Sequence, residues 1–401
     1  MNEKKEVPDE INVTFGKSTK TYQVHKDIWT HIIVDSKKEL HGWFTGFKPD
    51  GRRECTSERL LINPYNGCSH DCVFCYAHAL WGYFELFQKK KIITVFKDFD
   101  KVVSNQLDKI NIASCGYISP TTDPFQPLNK KYELTEKIIE EFVKRNIPVE
   151  FITKGKISDE AINLIKKQEH SFGQVTILTP KEEIRKKLMN GGARTEELIR
   201  NIERLTNKDI FAVCRIDPIV PCITNKKEDL EELVKTVASA GAKHIITSCM
   251  DIPYKLKDEV ISGLEKIDID IEYKYNTLYT EIIAGDINAN IEYRKKLFKT
   301  MREICDKYNV TMGLCMEFEK LNGQKVRGLN QEFMTSKSCE GIDIPIYKRK
   351  GDKFFPVEKC NGVCLNCKNA VCGIPELAEA GAWKLRDYKR WSNGLKQKTL
   401  F

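Results

Sequence analysis

The sequence predicts an α/β protein built around a partial, TIM-like (βα)6 barrel, and three observations carry that prediction. Six short apolar runs are each the length of a buried strand: Leu60 to Ile62, Asn111 to Ile118, Pro148 to Ile152, Gln174 to Leu178, Ile210 to Ile216 and His244 to Cys249. Amphipathic stretches separate them, as in Leu134 to Phe142, where apolar residues fall at i, i+4, i+5 and i+8. The run starts at 111, 148, 174, 210 and 244 lie 37, 26, 36 and 34 residues apart, close to one βα unit. Strands alternating with helices in this way form a parallel sheet, and a regular series favours a barrel.

In chain order, residues 1–58 read as a small preface of β-like runs (Ile11 to Phe15, His31 to Val34) and turn signals such as Pro49-Asp50-Gly51. The barrel is expected over 59–320. Within it, Thr195-Glu196-Glu197-Leu198 opens a helix with acidic residues near its positive end. A seventh strand, Val310 to Cys315, follows a helix from about Tyr293 to Tyr308. After Phe333 the periodicity fades, and 321–401 reads as a cysteine-rich carboxyl-terminal domain organised by metal.

With 41% apolar and 30% charged residues in 401, the chain is too apolar for disorder. A net charge of +8, from 65 Lys and Arg against 57 Asp and Glu, admits an anionic partner without demanding one. Met1 to Glu10 lacks the apolar stretch of a signal peptide, and no 18-residue apolar run follows, so a cytoplasmic protein without a membrane partner is expected. Thiols stay reduced there, and fifteen cysteines then call for metal rather than a disulfide framework.

Cys68, Cys72 and Cys75 directly follow the first strand, which in a barrel places them at the carboxyl ends where active sites are built. Three thiolates hold a 4Fe-4S cube with one iron open to a further ligand. Structural zinc with His70 or His78 as fourth ligand is the alternative, although zinc more often takes paired C-x2-C knuckles. Cys360, Cys364 and Cys367 repeat the x3 then x2 spacing, with Cys372 after them and Cys339 before. Four of these five thiols would complete a second 4Fe-4S cube, and zinc with four cysteines is the alternative. Cys214, Cys222, Cys249, Cys305 and Cys315 read as core or strand-end packing.

The segment Asn63-Pro64-Tyr65-Asn66-Gly67-Cys68-Ser69-His70-Asp71-Cys72-Val73-Phe74-Cys75-Tyr76 resembles the cluster loop of the radical S-adenosylmethionine (radical SAM) superfamily. Thr122-Asp123-Pro124-Phe125-Gln126-Pro127, Ile152-Thr153-Lys154 and Arg215-Ile216-Asp217-Pro218-Ile219 look like further signatures of its spore photoproduct lyase-like branch, so that the match runs over about 60–320. The resemblance implies a partial barrel of the radical SAM type. It also implies that S-adenosylmethionine chelates the open iron, and that one electron, from a donor such as flavodoxin or ferredoxin, releases a 5'-deoxyadenosyl radical. That radical would abstract a hydrogen atom from the substrate.

By the same resemblance Tyr76, Ser119, Asp123, Lys154 and Arg215 are candidate cofactor contacts. Lys154 would meet a carboxylate. Arg215, inside an apolar run, needs either the cofactor or Asp217 as partner, and Asp123 either binds ribose hydroxyls or holds its turn. Cys115, in Ala113-Ser114-Cys115-Gly116, resembles the branch's hydrogen-atom donor, its alternative being a small buried core residue. The cysteine-rich tail departs from the branch. Three functions are therefore weighed: a lyase-like or modifying enzyme acting on a nucleic acid or nucleotide, a peptide- or small-molecule-modifying enzyme served by the tail cluster, and a zinc-binding nucleic-acid module without enzymatic activity.

Overall fold

A computed structural model describes residues 8–15, 17–36, 38–42, 58–321, 326–364, 367–378 and 383–391. Its centre is a seven-stranded sheet: β1 (Leu60–Ile62), β2 (Gly116–Ile118), β3 (Val149–Thr153), β4 (Phe172–Thr176), β5 (Phe211–Ile219), β6 (His244–Cys249) and β7 (Thr311–Leu314). Spatial order follows chain order from β1 to β7, and every neighbouring pair is parallel. This is the expected α/β architecture, with β7 as the seventh strand. The strands are buried almost throughout, as a sheet covered on both faces must be.

The expected run Asn111 to Ile118 is two strands, because Ile112–Ala113 pairs antiparallel with Tyr347–Lys350 before the chain bends at Ser114-Cys115 into β2. The expected run Gln174 to Leu178 is displaced. β4 starts at Phe172, where Gly173 lets Leu205 and the Phe151 ring close over the backbone.

The crossovers supply α1 (Phe99–Leu107), α2 (Leu134–Lys144), α3 (Asp159–Ile165), α4 (Thr195–Thr206), α5 (Lys227–Ser239) and α6 (Ile291–Lys307). α2 buries Leu134, Ile138, Ile139 and Phe142, the stripe read from the sequence. Local caps fix two starts: the Ser158 hydroxyl accepts from Ala161 N before α3, and the Asn290 side chain accepts from Tyr293 N before α6.

A second, five-stranded sheet joins Glu10–Phe15, Ser18–His25 and His31–Asp35 to Ile93–Lys97 and Tyr65–Asn66 of the first crossover. In the tail, Tyr347–Lys350 lies between Lys353–Pro356 and Ile112–Ala113. Both chain ends thus hydrogen-bond to segments within 59–320. Among the described residues, no helix is long and apolar enough to cross a membrane.

Candidate active site

The thiol loop leaves β1 at a position only glycine accepts. Gly67 has φ +89°, and a Cβ there would lie 2.8 Å from the Phe87 side chain. Beyond it, Asp71 N donates to Cys68 O (3.2 Å), Cys75 N to Cys72 O (3.1 Å) and His78 N to Cys75 O (3.1 Å). These successive turns bring Cys68, Cys72 and Cys75 around one cavity, with His78 and Thr121 also on its wall. Neighbouring segments pin the loop. Gln126 spans Ser69 N and Gly67 O (3.3 Å each), Val73 N donates to Leu188 O (3.0 Å), and Gly191 N donates to His70 O (3.0 Å).

Burial pushes the Cys72 thiol up to about 12 against the pull of Lys154, and burial together with Asp123 and the other two cysteines raises Cys68. Thiols so placed ionise only when a metal supplies the compensating charge. The donor set therefore fits an iron-sulfur cluster held by three cysteines. His70 turns away, its Nδ1 lying 3.3 Å from Asp123, while His78 faces Asp71. Among the described residues no three His, Cys, Asp or Glu side chains close tightly enough on one point to hold a single metal ion.

The carboxyl ends of β2 and β4 add buried hydroxyls. Ser119 (φ +57°) follows β2 and Thr176 ends β4, and each holds a buried oxygen that makes no hydrogen bond among the described residues. A buried hydroxyl of this kind suits a bound polar molecule. Tyr76 donates to Pro120 O (3.0 Å) while the residue is 44% exposed. Lys154 stands just past β3, and its ammonium favours the ionised forms of Cys72, Cys75 and Asp217, for the two thiols against the larger effect of burial.

Three expected contacts have other partners. Asp123 is saturated: Oδ1 accepts from Phe125 N (2.9 Å) and Thr153 Oγ1 (2.8 Å), and Oδ2 from Lys154 N (2.6 Å), with His70 Nδ1 alongside. It ties its own turn to β3 and the thiol loop, so the turn-holding alternative is the one observed. Arg215 pairs with Asp217 and also donates to Gln174 Oε1 (2.9 Å) and Cys315 Sγ (3.0 Å), so its partner is Asp217. Cys115 precedes β2 at the opposite end of the sheet, fully buried with Phe172, Val213, Ile246 and Ile344. That is a core position, remote from the mouth, and it corrects the hydrogen-donor expectation.

Cys315, expected only as packing, also stands at the mouth. It follows β7, is half-buried, and shares the Arg215–Asp217 pair. Its place directly after the last strand was the available signal. A file of polar side chains also crosses the barrel interior; its Arg215–Asp217 pair was an expected alternative, whereas Arg59, Glu150, Gln174 and Glu340 were not singled out because their partners lie far away in sequence. Arg59 pairs with Glu340 and Glu150 (3.0 Å), Gln174 donates to Glu150 (2.7 Å) and accepts from Arg215, and Asp217 accepts from Ser248. Burial and the neighbouring Glu340 hold the Glu150 carboxyl well above the usual range.

In the tail, Cys360, Cys364, Cys367 and Cys372 line one cavity of about 360 Å³. Cys339 is not among them. Its carbonyl bonds His244 (3.0 Å) and its thiol lies close enough to Cys315 to raise that group's pKa, so of the five candidate cysteines it is the one that stands apart.

Residues 62–237 match the family model of the radical SAM superfamily. A relative from Pseudomonas phage M6, the "Radical SAM Nalpha-GlyT isomerase", is 27% identical over 410 residues, spanning 97% of this chain and 83% of its own length. An uncharacterised protein of Methanocaldococcus jannaschii is 22% identical over 56% of this chain and 93% of its own. Among solved structures, spore photoproduct lyase with bound AdoMet and dinucleoside spore photoproduct superposes with a TM-score of 0.53 at 15% identity, covering 67% of this chain and 78% of that one. At that identity the likeness is one of fold. The matched domain contains all three clustered thiols, and with a named enzyme aligned along nearly the whole chain it sets aside the non-enzymatic zinc module. The chain is an enzyme whose residues 62–237 match the radical SAM superfamily and whose fold is that of spore photoproduct lyase.

Proposed function

We propose that this enzyme is an isomerase: it takes a hydrogen atom from a substrate bound at the barrel mouth and returns one after the substrate has rearranged. Its substrate in this reading is a nucleic acid or nucleotide. The observation that carries the reaction type is the alignment with the phage isomerase, which runs through both mouth and tail. The surplus of eight positive charges and the dinucleoside held by the structural neighbour support the substrate class.

Cys68, Cys72 and Cys75 would hold a 4Fe-4S cluster with S-adenosylmethionine on its open iron; when bound, the pair supplies a hydrogen-abstracting radical after one-electron cleavage of the sulfonium. The protein's own groups position and shield. Lys154 offers a cation to the cofactor's carboxylate, Ser119 and Thr176 offer hydroxyls, and Tyr76 borders the opening. The Arg215–Asp217 pair forms a fixed polar wall that presents the Cys315 thiol toward the substrate. A small one-electron carrier such as flavodoxin or ferredoxin is the expected reductant, in a cytoplasm that keeps thiols reduced. The tail cysteines hold a second metal centre, a 4Fe-4S cluster or zinc.

The test is anaerobic reconstitution with iron, sulfide, S-adenosylmethionine and a reductant. Release of 5'-deoxyadenosine, absent when Cys68, Cys72 and Cys75 are all replaced by Ala, is the expected first result. Incubated with Nalpha-GlyT or with oligonucleotides, an isomerase leaves the substrate's mass unchanged and moves its chromatographic retention. Two lighter products would instead establish a lyase, and turnover of peptides alone would overturn the nucleic-acid reading.

A further inference from the structure

Asn330 bonds Leu314 at the carboxyl end of β7 (2.7 Å), but from Cys339 on the tail makes its contacts at the opposite end of the barrel. Its strand Tyr347–Lys350 pairs with Ile112–Ala113, just before β2. The Tyr347 hydroxyl meets Gln168 (2.9 Å) and His170 (2.6 Å), just before β4. Phe354 N donates to Arg145 O (2.8 Å) and Phe354 O accepts from Asn146 (2.9 Å), in the turn leading into β3. The Cys339 carbonyl reaches His244, the first residue of β6. All of these are amino-terminal strand ends, whereas Cys68, Cys72, Cys75, Lys154 and Cys315 stand at carboxyl ends. The tail is the floor of the barrel and the chemistry is at its mouth.

The four-thiol cavity belongs to that floor. Ile346, adjoining the Tyr347 strand, lines it and donates its N–H to Cys360 Sγ (3.4 Å), the kind of N–H···S contact that steadies a metal-bound thiolate. Cys364 and Cys372 are buried in the same core as the barrel. Gly362 passes Ile344 so closely that a Cβ would lie 2.2 Å from its nitrogen, and Ile344 in turn plugs the barrel end against Cys115. The gaps between the four cysteines are three, two and four residues, the short spacings of a closed structural site.

We propose that Cys360, Cys364, Cys367 and Cys372 form a closed four-thiolate metal centre that clasps the tail across the floor of the barrel and takes no part in substrate binding. Metal uptake displaces the thiol protons to solvent and involves no change of oxidation state of the protein. The inference rests on the tail thiols binding metal, and it assigns that metal a place and a role.

The test uses the full chain, purified anaerobically, with Cys364→Ser and Cys367→Ser combined. The variant is expected to lose about four irons, because among the described residues no three of these thiols close on one point as a single ion requires. It should melt at a lower temperature and be cleaved by protease beyond about residue 334, yet release 5'-deoxyadenosine and isomerised product within about twofold of wild type per folded molecule. If the variant does not fold, wild type treated with a chelator is digested instead, and tail cleavage with the barrel intact is the expected pattern. A wild type carrying no metal beyond the first cluster overturns the metal centre itself. A variant that stays folded and releases 5'-deoxyadenosine but makes no product overturns the structural role, because the site would then serve the substrate.

Discussion

Asp123 shows how one carboxylate ties the parts of the site together. Burial would raise its pKa, but His70 beside it and the N–H donors of Lys154 and Phe125 outweigh that, holding it below the usual carboxylate range. A depressed acid contributes stability above its unfolded pKa of about 4, and loses it as pH falls through the folded value. Asp123→Asn sets an amide donor against the N–H groups it should accept from, at a cost of roughly 1–3 kcal/mol. A lower denaturant midpoint and reduced iron loading are the expected results, and wild-type loading would refute the tie to the thiol loop. Two cysteines separate by the same reasoning. Cys115→Ala removes one buried sulfur from the core, costing about 1 kcal/mol and leaving turnover intact. Cys315→Ala should keep iron and 5'-deoxyadenosine release while cutting product at least tenfold, and unchanged product yield would exclude Cys315 from the reaction.

Among elements, the thiol loop depends on segments far away in sequence. Gly191, in the crossover between β4 and β5, passes so close that a Cβ would sit 2.6 Å from Ser69 O. Gly191→Ala must push the loop aside, a strain of about 1–3 kcal/mol. Iron bound per chain should fall by more than the melting temperature predicts, and normal loading would mean that the loop holds its shape alone. The strands themselves were readable from composition, since β1 and β6 coincide with their apolar runs residue for residue. The start of β4 was hidden because Gly173 does not look like a strand residue, so the expected run began only at Gln174. Gln174 is there for its bonds to Glu150 and Arg215, which no local pattern encodes.

For the molecule as a whole, floor and mouth are different surfaces with different demands. His244 joins them through β6. Burial pushes its imidazole down to about 4, while Nδ1 meets Thr311 (2.8 Å) and Nε2 the Cys339 carbonyl (3.0 Å). A base depressed on folding takes up protons in the unfolded chain first, so stability falls as pH drops from about 6.5 toward 4, by roughly 3 kcal/mol in all. His244→Gln should flatten that slope in pH-dependent thermal melts, and an unchanged slope would assign it to other groups.

The sequence by itself determined the strand-helix alternation, because burial imprints its period on apolar residues, and the three-thiol loop, because its ligands lie within eight positions of one another. Only the tertiary structure decided that Cys315 also stands at the mouth, what Arg215 and Asp123 bond to, and that the tail lies beneath the barrel rather than beside its opening. Those are contacts between residues tens to hundreds of positions apart, and a buried polar side chain finds its partner through the folded path of the chain, which spacing along the sequence does not record.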